Sequence, residues 1–223
     1  MIIILLPLRS LKRGDDEDAG EVRPARVVVY FLALGLAFLF IEIAFIQRFT
    51  LFLSHPLYVV AVVLYAFLVF AGLGSGYAER LADQLSGATR LALLRSHITV
   101  AVAGIIAVAG TYLLVLPVLF DWLFLPQLAK MAISIVLIAP LAFCMGMPFP
   151  LGLRQVSDRA PDWVPWAWGV NGCASVISAI LATMLAIHFG FTLVVAVAMT
   201  LYAVAAATFA TRDNRSLDQE SGN

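Results

Sequence analysis

The sequence has few charged residues. Only 13% of its 223 residues are Asp, Glu, Lys or Arg, about half the usual share of about 25% in soluble domains. Fifteen of the 28 charges lie in residues 1–26 and 211–223, which leaves 13 across the 184 residues between them. A soluble fold covers its surface with polar groups, and residues 27–210 hold too few to do so. This excludes a soluble enzyme or nucleic-acid-binding protein for that stretch and predicts a polytopic membrane protein.

The sequence also lacks the motifs of common catalytic and metal sites. It contains no P-loop, no H-E-x-x-H and no G-x-S-x-G. Its three His and two Cys have no spacing typical of metal ligands. We therefore predict no catalytic residue, no metal site and no cofactor in this chain. Any enzymatic activity would belong to a domain outside it.

Long apolar runs are abundant, in contrast. A helix needs about 20 mainly apolar residues to cross the roughly 30 Å of bilayer hydrocarbon. The runs are continuously apolar rather than alternating, and backbone groups in lipid must pair internally, so we expect helices and not barrel strands. Six stretches qualify: Val27–Ile46, Leu57–Ala78, Ile98–Phe120, Leu128–Met147, Trp166–Ile187 and Phe191–Ala210. The sequence thus predicts an all-α transmembrane bundle of about six helices.

The basic residues outside these runs are distributed unequally between the two sides of the membrane. Twelve Lys and Arg lie in segments on one side, and two, Arg48 and Lys130, lie on the other. Cytoplasmic segments of membrane proteins carry the excess of basic residues. The distribution therefore predicts that both ends of a multipass membrane protein lie in the cytoplasm.

The two ends of the chain differ from its centre. Residues 1–8 are apolar but too short to cross, and the basic residues follow them, which is the reverse of a signal peptide. We expect residues 1–26 to contain the end of a truncated helix and a polar cytoplasmic linker. The domain boundaries are then 27–210 for the transmembrane domain and 211–223 for a disordered cytoplasmic tail.

Glu42 is the one charged residue in the middle of a predicted span. A carboxylate in lipid is costly, so such a residue normally faces a bundle interior, a cavity or a partner. One interpretation is a hydrogen-bonded Glu that ties helices together, and the other is a site for a proton or cation. Arg48 lies six residues later, on another face of the same helix, so a pair within that helix is not expected.

His55 and Asn171 complete the candidate set for a substrate or ion pathway, together with Glu42 and Arg48. His55 precedes Pro56 in the hairpin between the first two spans, where a His is more often a turn residue than a ligand. Asn171 lies in the fifth span with Ser175 and Ser178 at helical spacing. An intramembrane Asn either bonds across helices or contacts a ligand.

Glycine and proline residues form a second candidate group, with structural roles. Gly72, Gly74 and Gly76 end the second span and favour close helix packing. Pro148 and Pro150 follow the fourth span, and we expect them to forbid a regular helix and to expose carbonyl groups. A broken helix either lines a transport cavity or merely ends the span. The three Trp residues at the cytoplasmic edge of the fifth span suit an interfacial aromatic belt: Trp163, Trp166 and Trp168.

Four segments combine these residues in a fixed order. They are GLAFLFIEIAFIQRFTLFLSHPLY (35–58), AGLGSG (71–76), MGMPFPLGLR (145–154) and PWAWGVNG (165–172). As a set they resemble the membrane part of bacterial spermidine synthase-like multipass proteins, over about residues 27–210. In that family, hydrophobic helices are joined to a Rossmann-like domain related to aminopropyltransferases and S-adenosylmethionine-dependent methyltransferases.

The resemblance implies a function for the bundle but no catalytic residues. No stretch here matches the family's Gly-rich cofactor loop or its catalytic Asp. The implied role is to anchor a soluble aminopropyltransferase-like or methyltransferase-like domain, missing from this chain, and to pass a polyamine or related substrate. Two alternatives stay open: a six-helix half-transporter that works with a second bundle, and a purely structural membrane anchor. All three have the lipid bilayer as partner and none involves nucleic acid.

Overall fold

The computed structural model describes residues 24–85, 89–119 and 125–210. Nearly all of these residues are helical, and none of them forms a strand. The elements are α1 (Pro24–Leu53), α2 (Pro56–Gln84), α3 (Arg90–Leu119), α4 (Gln127–Gly146), α5 (Pro148–Arg159), a 3-10 turn (Pro161–Trp163) and α6 (Val164–Ala210). The predictions for residues 1–23 and 211–223 lie outside this part of the chain.

Five helical segments are long and apolar enough to cross a membrane. They are Pro24–Leu53, Pro56–Gln84, Arg90–Leu116, Gln127–Arg159 and Pro161–Phe209. Their surface carries large apolar side chains in the open, such as Leu57, Leu114 and Ile187, each more than 70% exposed. Apolar side chains of this size are stable in contact with lipid tails, which are equally apolar, and unfavourable in contact with water. The all-helical fold and its compatibility with a bilayer are therefore confirmed.

α1 is the central helix of the bundle. In the most apolar 18-residue stretch of α1, 61% of the residues are buried. In the corresponding stretches of the other four segments, 22–33% are buried. Its main partner is α6, and it also contacts α2, α4 and α5. α2 packs mainly on α4, and α3 contacts α4, α5 and α6. A helix surrounded by others exposes little of itself to lipid, so α1 carries much of the buried core.

α6 reverses direction at Gly190. This residue has φ 79° and ψ 175°, a backbone conformation available to glycine and almost no other residue. Ser178, before Gly190, bonds to Leu36 of α1, and Phe209, after it, packs on Tyr30 of α1. A straight helix would separate residues 178 and 209 by about 46 Å. The two halves of α6 (residues 164–189 and 191–210) therefore run antiparallel beside the same helix.

The two ends of the bundle differ in charge. One end, which we call the α5 end, holds the start of α1, the end of α2, the start of α3, α5 and both ends of α6. Of the eight Lys and Arg residues in the described chain, six lie at this end: Arg26, Arg80, Arg90, Arg95, Arg154 and Arg159. Only Arg48 and Lys130 lie toward the opposite end. The segregation predicted from the sequence is thus present in the fold.

The expectation for Pro148 and Pro150 is wrong in one respect. α4 ends at Gly146, but α5 begins immediately at Pro148 and continues for 12 residues. The first turn of a helix has no internal partners for its N–H groups, so a proline there removes nothing that the helix needs. Both prolines lie in that turn. They mark the start of a new helix rather than the end of helical structure.

Candidate functional site

Glu42 lies in the packed centre of the bundle. It is only 6% exposed, in the middle of α1. Seven residues separate it from Gly35, so the two share one face of α1. Gly35 lies against Asn171 and Ala174 of α6. Among the described residues, no hydrogen bond or ion pair involves Glu42. The residue as a whole is thus nearly buried, and its carboxylate has no such partner.

The stripe of small residues on α6 forms the other wall of this interface. All four of its members are buried: Ala174, Ser178, Ala182 and Ala186. The contacts of Gly35 with Ala174 and of Leu36 with Ser178 show that α1 and the first half of α6 run parallel. At an equal rise per residue, Glu42 is level with residues of the Ala182 turn. Glu42 therefore lies at the depth of this stripe of three alanines and one serine.

The four candidate pathway residues do not converge. Gly35 contacts Asn171, which places Glu42 about 10 Å farther along the bundle axis. Arg48 is about 9 Å beyond Glu42, and His55 lies beyond the end of α1. Four groups spread along about 30 Å cannot contact one small ligand together. They lie at different depths of the bundle, and His55 is exposed at its surface.

Arg48 and His55 each contact an aromatic ring. The Arg48 guanidinium lies 5.9 Å from the centre of the Phe191 ring, just after the α6 reversal. His55 is exposed at the start of α2, and its ring lies 5.9 Å from that of Tyr58. Cations over aromatic faces are stabilised by the ring quadrupole. These contacts place Arg48 against a neighbouring helix and His55 at the surface.

Ser178, rather than Asn171, makes the side-chain hydrogen bond between α6 and α1. The Ser178 hydroxyl donates to the Leu36 carbonyl of α1 at 2.7 Å. The Asn171 backbone carbonyl accepts from Ser175 within α6. Its side chain lies close to Gly35, where a Cβ atom would be 3.0 Å from the amide oxygen. The sequence showed this polar stripe but not which member bonds across.

Two glycines allow the closest approach of α2 and α4. A Cβ atom at Gly74 would overlap the Phe143 backbone, and one at Gly146 would overlap the Ala71 backbone. The contacts are reciprocal, so each helix presents a glycine to the other's main chain. Gly72 and Gly76, in contrast, have nothing within 4 Å of where a Cβ would lie. Close packing therefore accounts for Gly74 alone among the three predicted glycines.

Pro148 and Trp168 take part in the joint between α5 and its neighbours. Tyr30, fully buried, donates its hydroxyl proton to the Pro148 carbonyl at 2.6 Å. Its ring also fills the space above Gly152, where a Cβ would overlap it. Trp168 packs edge-on against Phe149, with ring centres 4.8 Å apart. Sequence reasoning missed Tyr30, because an aromatic residue in an apolar run carries no distinguishing signal.

Two ion pairs attach α5 to the helices beside it. Arg154 binds Asp83 at the end of α2, and Arg90 at the start of α3 lies 3.3 Å from Asp158. Arg154 and Asp158 are four residues apart and so share one face of α5. The opposite face of α5 is buried, with Leu151, Gly152, Gln155 and Val156. α5 is thus an amphipathic helix fixed across the α5 end of the bundle.

The described residues contain no group of three or more His, Cys, Asp or Glu that could hold a metal ion. Comparison with protein-family models, with curated proteins and with solved structures found no match to this chain.

Proposed function

We propose that the chain is a multipass module of a bacterial inner membrane, with six crossings and the α5 end in the cytoplasm. The observation that carries this orientation is the position of six of the eight described Lys and Arg residues at the α5 end. The reversal of α6 at Gly190 supports the count of six, because it lets residues 164–189 and 191–210 cross separately. Each half is long enough for the hydrocarbon core.

Labelling of single cysteines tests the topology. In a variant with Cys144 and Cys173 replaced by Ala, one cysteine is introduced at His55 or at Asp162, both exposed and at opposite ends. A membrane-impermeant maleimide added to intact spheroplasts should label His55→Cys at once. It should label Asp162→Cys only after permeabilisation. The reverse pattern, or labelling of both positions from outside, contradicts the orientation.

We further propose that the module holds a soluble aminopropyltransferase-like or methyltransferase-like domain at its α5 end. The packing of the four sequence motifs supports this role. Gly35 of the first motif meets Asn171 of the fourth, Ala71 of the second meets Gly146 of the third, and Phe149 meets Trp168. Motif residues thus build the joints near the α5 end and fix α5 as a rigid charged face. Motif residues that stabilise this end of the bundle favour a role in anchoring a soluble domain there.

Site-specific crosslinking in cells tests the anchoring role. A photo-crosslinking amino acid at Asp162 should capture a protein that mass spectrometry identifies as carrying a Rossmann-type nucleotide-binding domain. The same probe at His55, at the opposite end, is the matched control and should not capture it. If neither position, or only His55, captures such a protein, the anchoring proposal is wrong.

A second candidate function is passage of a polyamine or related cation along the α1–α6 interface, either for that domain or as one half of a two-bundle transporter. The observation in its favour is Glu42, 6% exposed and without a hydrogen-bonding or ionic partner among the described residues. An intramembrane carboxylate without a structural partner is a candidate for binding a mobile cation. Asn171 lies against Gly35 at the same interface, about 10 Å from Glu42 along the bundle axis.

Uptake by proteoliposomes tests passage. Wild-type protein should accumulate radiolabelled spermidine, and Glu42→Gln should abolish uptake because it removes the charge while keeping the side-chain shape. Asp162→Asn removes an exposed carboxylate at the α5 end and should leave uptake unchanged. Equal uptake by wild type and Glu42→Gln would eliminate Glu42 as the cation site. Anchoring would then be the only proposed role that remains.

A further inference from the structure

A cavity of about 240 Å³ lies between the last turns of α2 and the outer face of α5. Its lining comes from both helices and from the first residue of α6: Glu79, Ala82, Asp83, Pro150, Leu153, Arg154, Ser157 and Val164. The volume is somewhat below the roughly 300–1,000 Å³ of pockets that take drug-sized ligands. It suits a smaller polar molecule or the headgroup of a lipid.

The walls of this cavity carry opposite charges. Glu79 and Asp83 are four residues apart and share one face of α2, and Arg154 faces them from α5. Arg154 is paired with Asp83, whereas Glu79 makes no ion pair or hydrogen bond with any described residue. The cavity is open to the surface and presents one exposed carboxylate without an ionic partner there. Arg154 has five N–H donors, more than one carboxylate can use, so it can also donate to an anionic group.

The polar groups are placed beside an apolar floor. Ser157, one turn after Arg154, has a hydroxyl, while Pro150, Leu153 and Val164 have apolar side chains. A metal ion would need several converging ligands, and the described residues supply no such group. The chemistry that matches the walls is a molecule with an ammonium group for Glu79 and an anionic group for Arg154.

We propose that this cavity binds a zwitterionic aminophosphate, with its ammonium on Glu79 and its phosphate on Arg154 and Ser157. The cavity lies at the α5 end, in the layer where the charged residues of the bundle gather, and such a layer is at the depth of lipid headgroups. Phosphoethanolamine has this chemistry, either as the headgroup of phosphatidylethanolamine or as a free molecule. Guanidinium groups bind phosphate oxygens through two parallel hydrogen bonds, which gives Arg154 the selective role.

Lipid retention measured by native mass spectrometry tests the lipid source. Protein is released from nanodiscs that contain phosphatidylethanolamine, phosphatidylcholine or phosphatidylglycerol in equal amounts. Wild-type protein should retain phosphatidylethanolamine in preference to the other two, because choline has no N–H to donate and glycerol has no cation. Glu79→Gln should reduce that preference about tenfold, the effect of losing one charge-assisted hydrogen bond.

Asp162→Asn is the matched control, since it also removes an exposed carboxylate at the α5 end but lies outside the cavity. It should retain the wild-type preference. A second arm titrates free O-phosphoethanolamine into detergent-solubilised protein by calorimetry, and binding that Glu79→Gln weakens identifies a soluble ligand. The proposal is overturned if neither arm shows binding, or if Glu79→Gln and Asp162→Asn behave alike. This outcome is independent of the topology and of the role of Glu42.

Discussion

The contact between α2 and α4 predicts opposite effects for two neighbouring glycines. Replacing Gly74 with Ala puts a Cβ atom into the Phe143 backbone, whereas the same replacement at Gly72 puts it into open space. The two glycines are half a turn apart on one helix. Gly72→Ala is therefore a matched control for the intrinsic effect of exchanging Gly for Ala.

The magnitude follows from two terms. Ala is favoured over Gly inside a helix by about 0.5–1 kcal/mol, and this gain is common to both variants. Overpacking a filled interface costs about 1–3 kcal/mol, and only Gly74→Ala incurs it. The new Cβ atom would overlap the main chain of Phe143, so rotation of a side chain cannot relieve the overlap. The difference in the free energy of unfolding between the variants is thus about 1–3 kcal/mol, with Gly74→Ala the less stable.

Thermal unfolding of the detergent-solubilised protein measures this difference. For a chain of this size each kcal/mol shifts the Tm by about 2–4 °C, so the two variants should differ by roughly 2–12 °C. Gly72→Ala should unfold at or above the wild-type temperature. Equal Tm values for the two variants would show that α2 and α4 are not in main-chain contact at Gly74.

Three further predictions concern single contacts and use the same unfolding assay. Gly190→Ala should destabilise the protein by about 1–3 kcal/mol, because its backbone conformation excludes a Cβ atom; an unchanged Tm would contradict the reversal of α6. Tyr30→Phe should cost about 1 kcal/mol by removing the hydrogen bond to α5, with a change in Trp emission near Trp168 as a second readout. If α5 is not held by Tyr30, neither signal will move. Ser178→Ala should cost about 0.6 kcal/mol, the average for a hydrogen bond between transmembrane helices, and Ser175→Ala less, since its hydroxyl bonds within its own helix. Equal losses for the two serines would refute the cross-helix bond.

The positions of the helices could be predicted because lipid imposes a simple rule. Continuous apolar runs must form helices where no water can satisfy the backbone, so the run Val27–Ile46 lies inside α1 as expected. The helix continues to Leu53, past the polar residues Gln47 and Arg48, because protein neighbours cover this turn as well. Hydropathy therefore predicts that a helix is present more reliably than it predicts where the helix ends.

The contacts between helices could not be predicted in the same way. Nothing in the sequence states that Gly146 faces Ala71, because that depends on which helices become neighbours. α5 was missed because prolines at its start resemble a helix break, and 12 amphipathic residues give a weak periodic signal. The candidate residues of α1 were found from their polarity, but the distance between Glu42 and Asn171 depends on how α6 is aligned with α1.

The central position of α1 has a consequence for biosynthesis. Among the described helices α1 leaves the ribosome first, whereas both halves of its main partner, α6, leave it last. Until α6 has entered the membrane, the face of α1 that carries Gly35 and Glu42 has lipid as its only neighbour. The contact that completes the bundle joins segments about 140 residues apart in the chain. Assembly of the bundle must therefore wait until α6 has been synthesised, and a ribosome stalled before α6 would leave the Glu42 face of α1 in the bilayer without its protein neighbour.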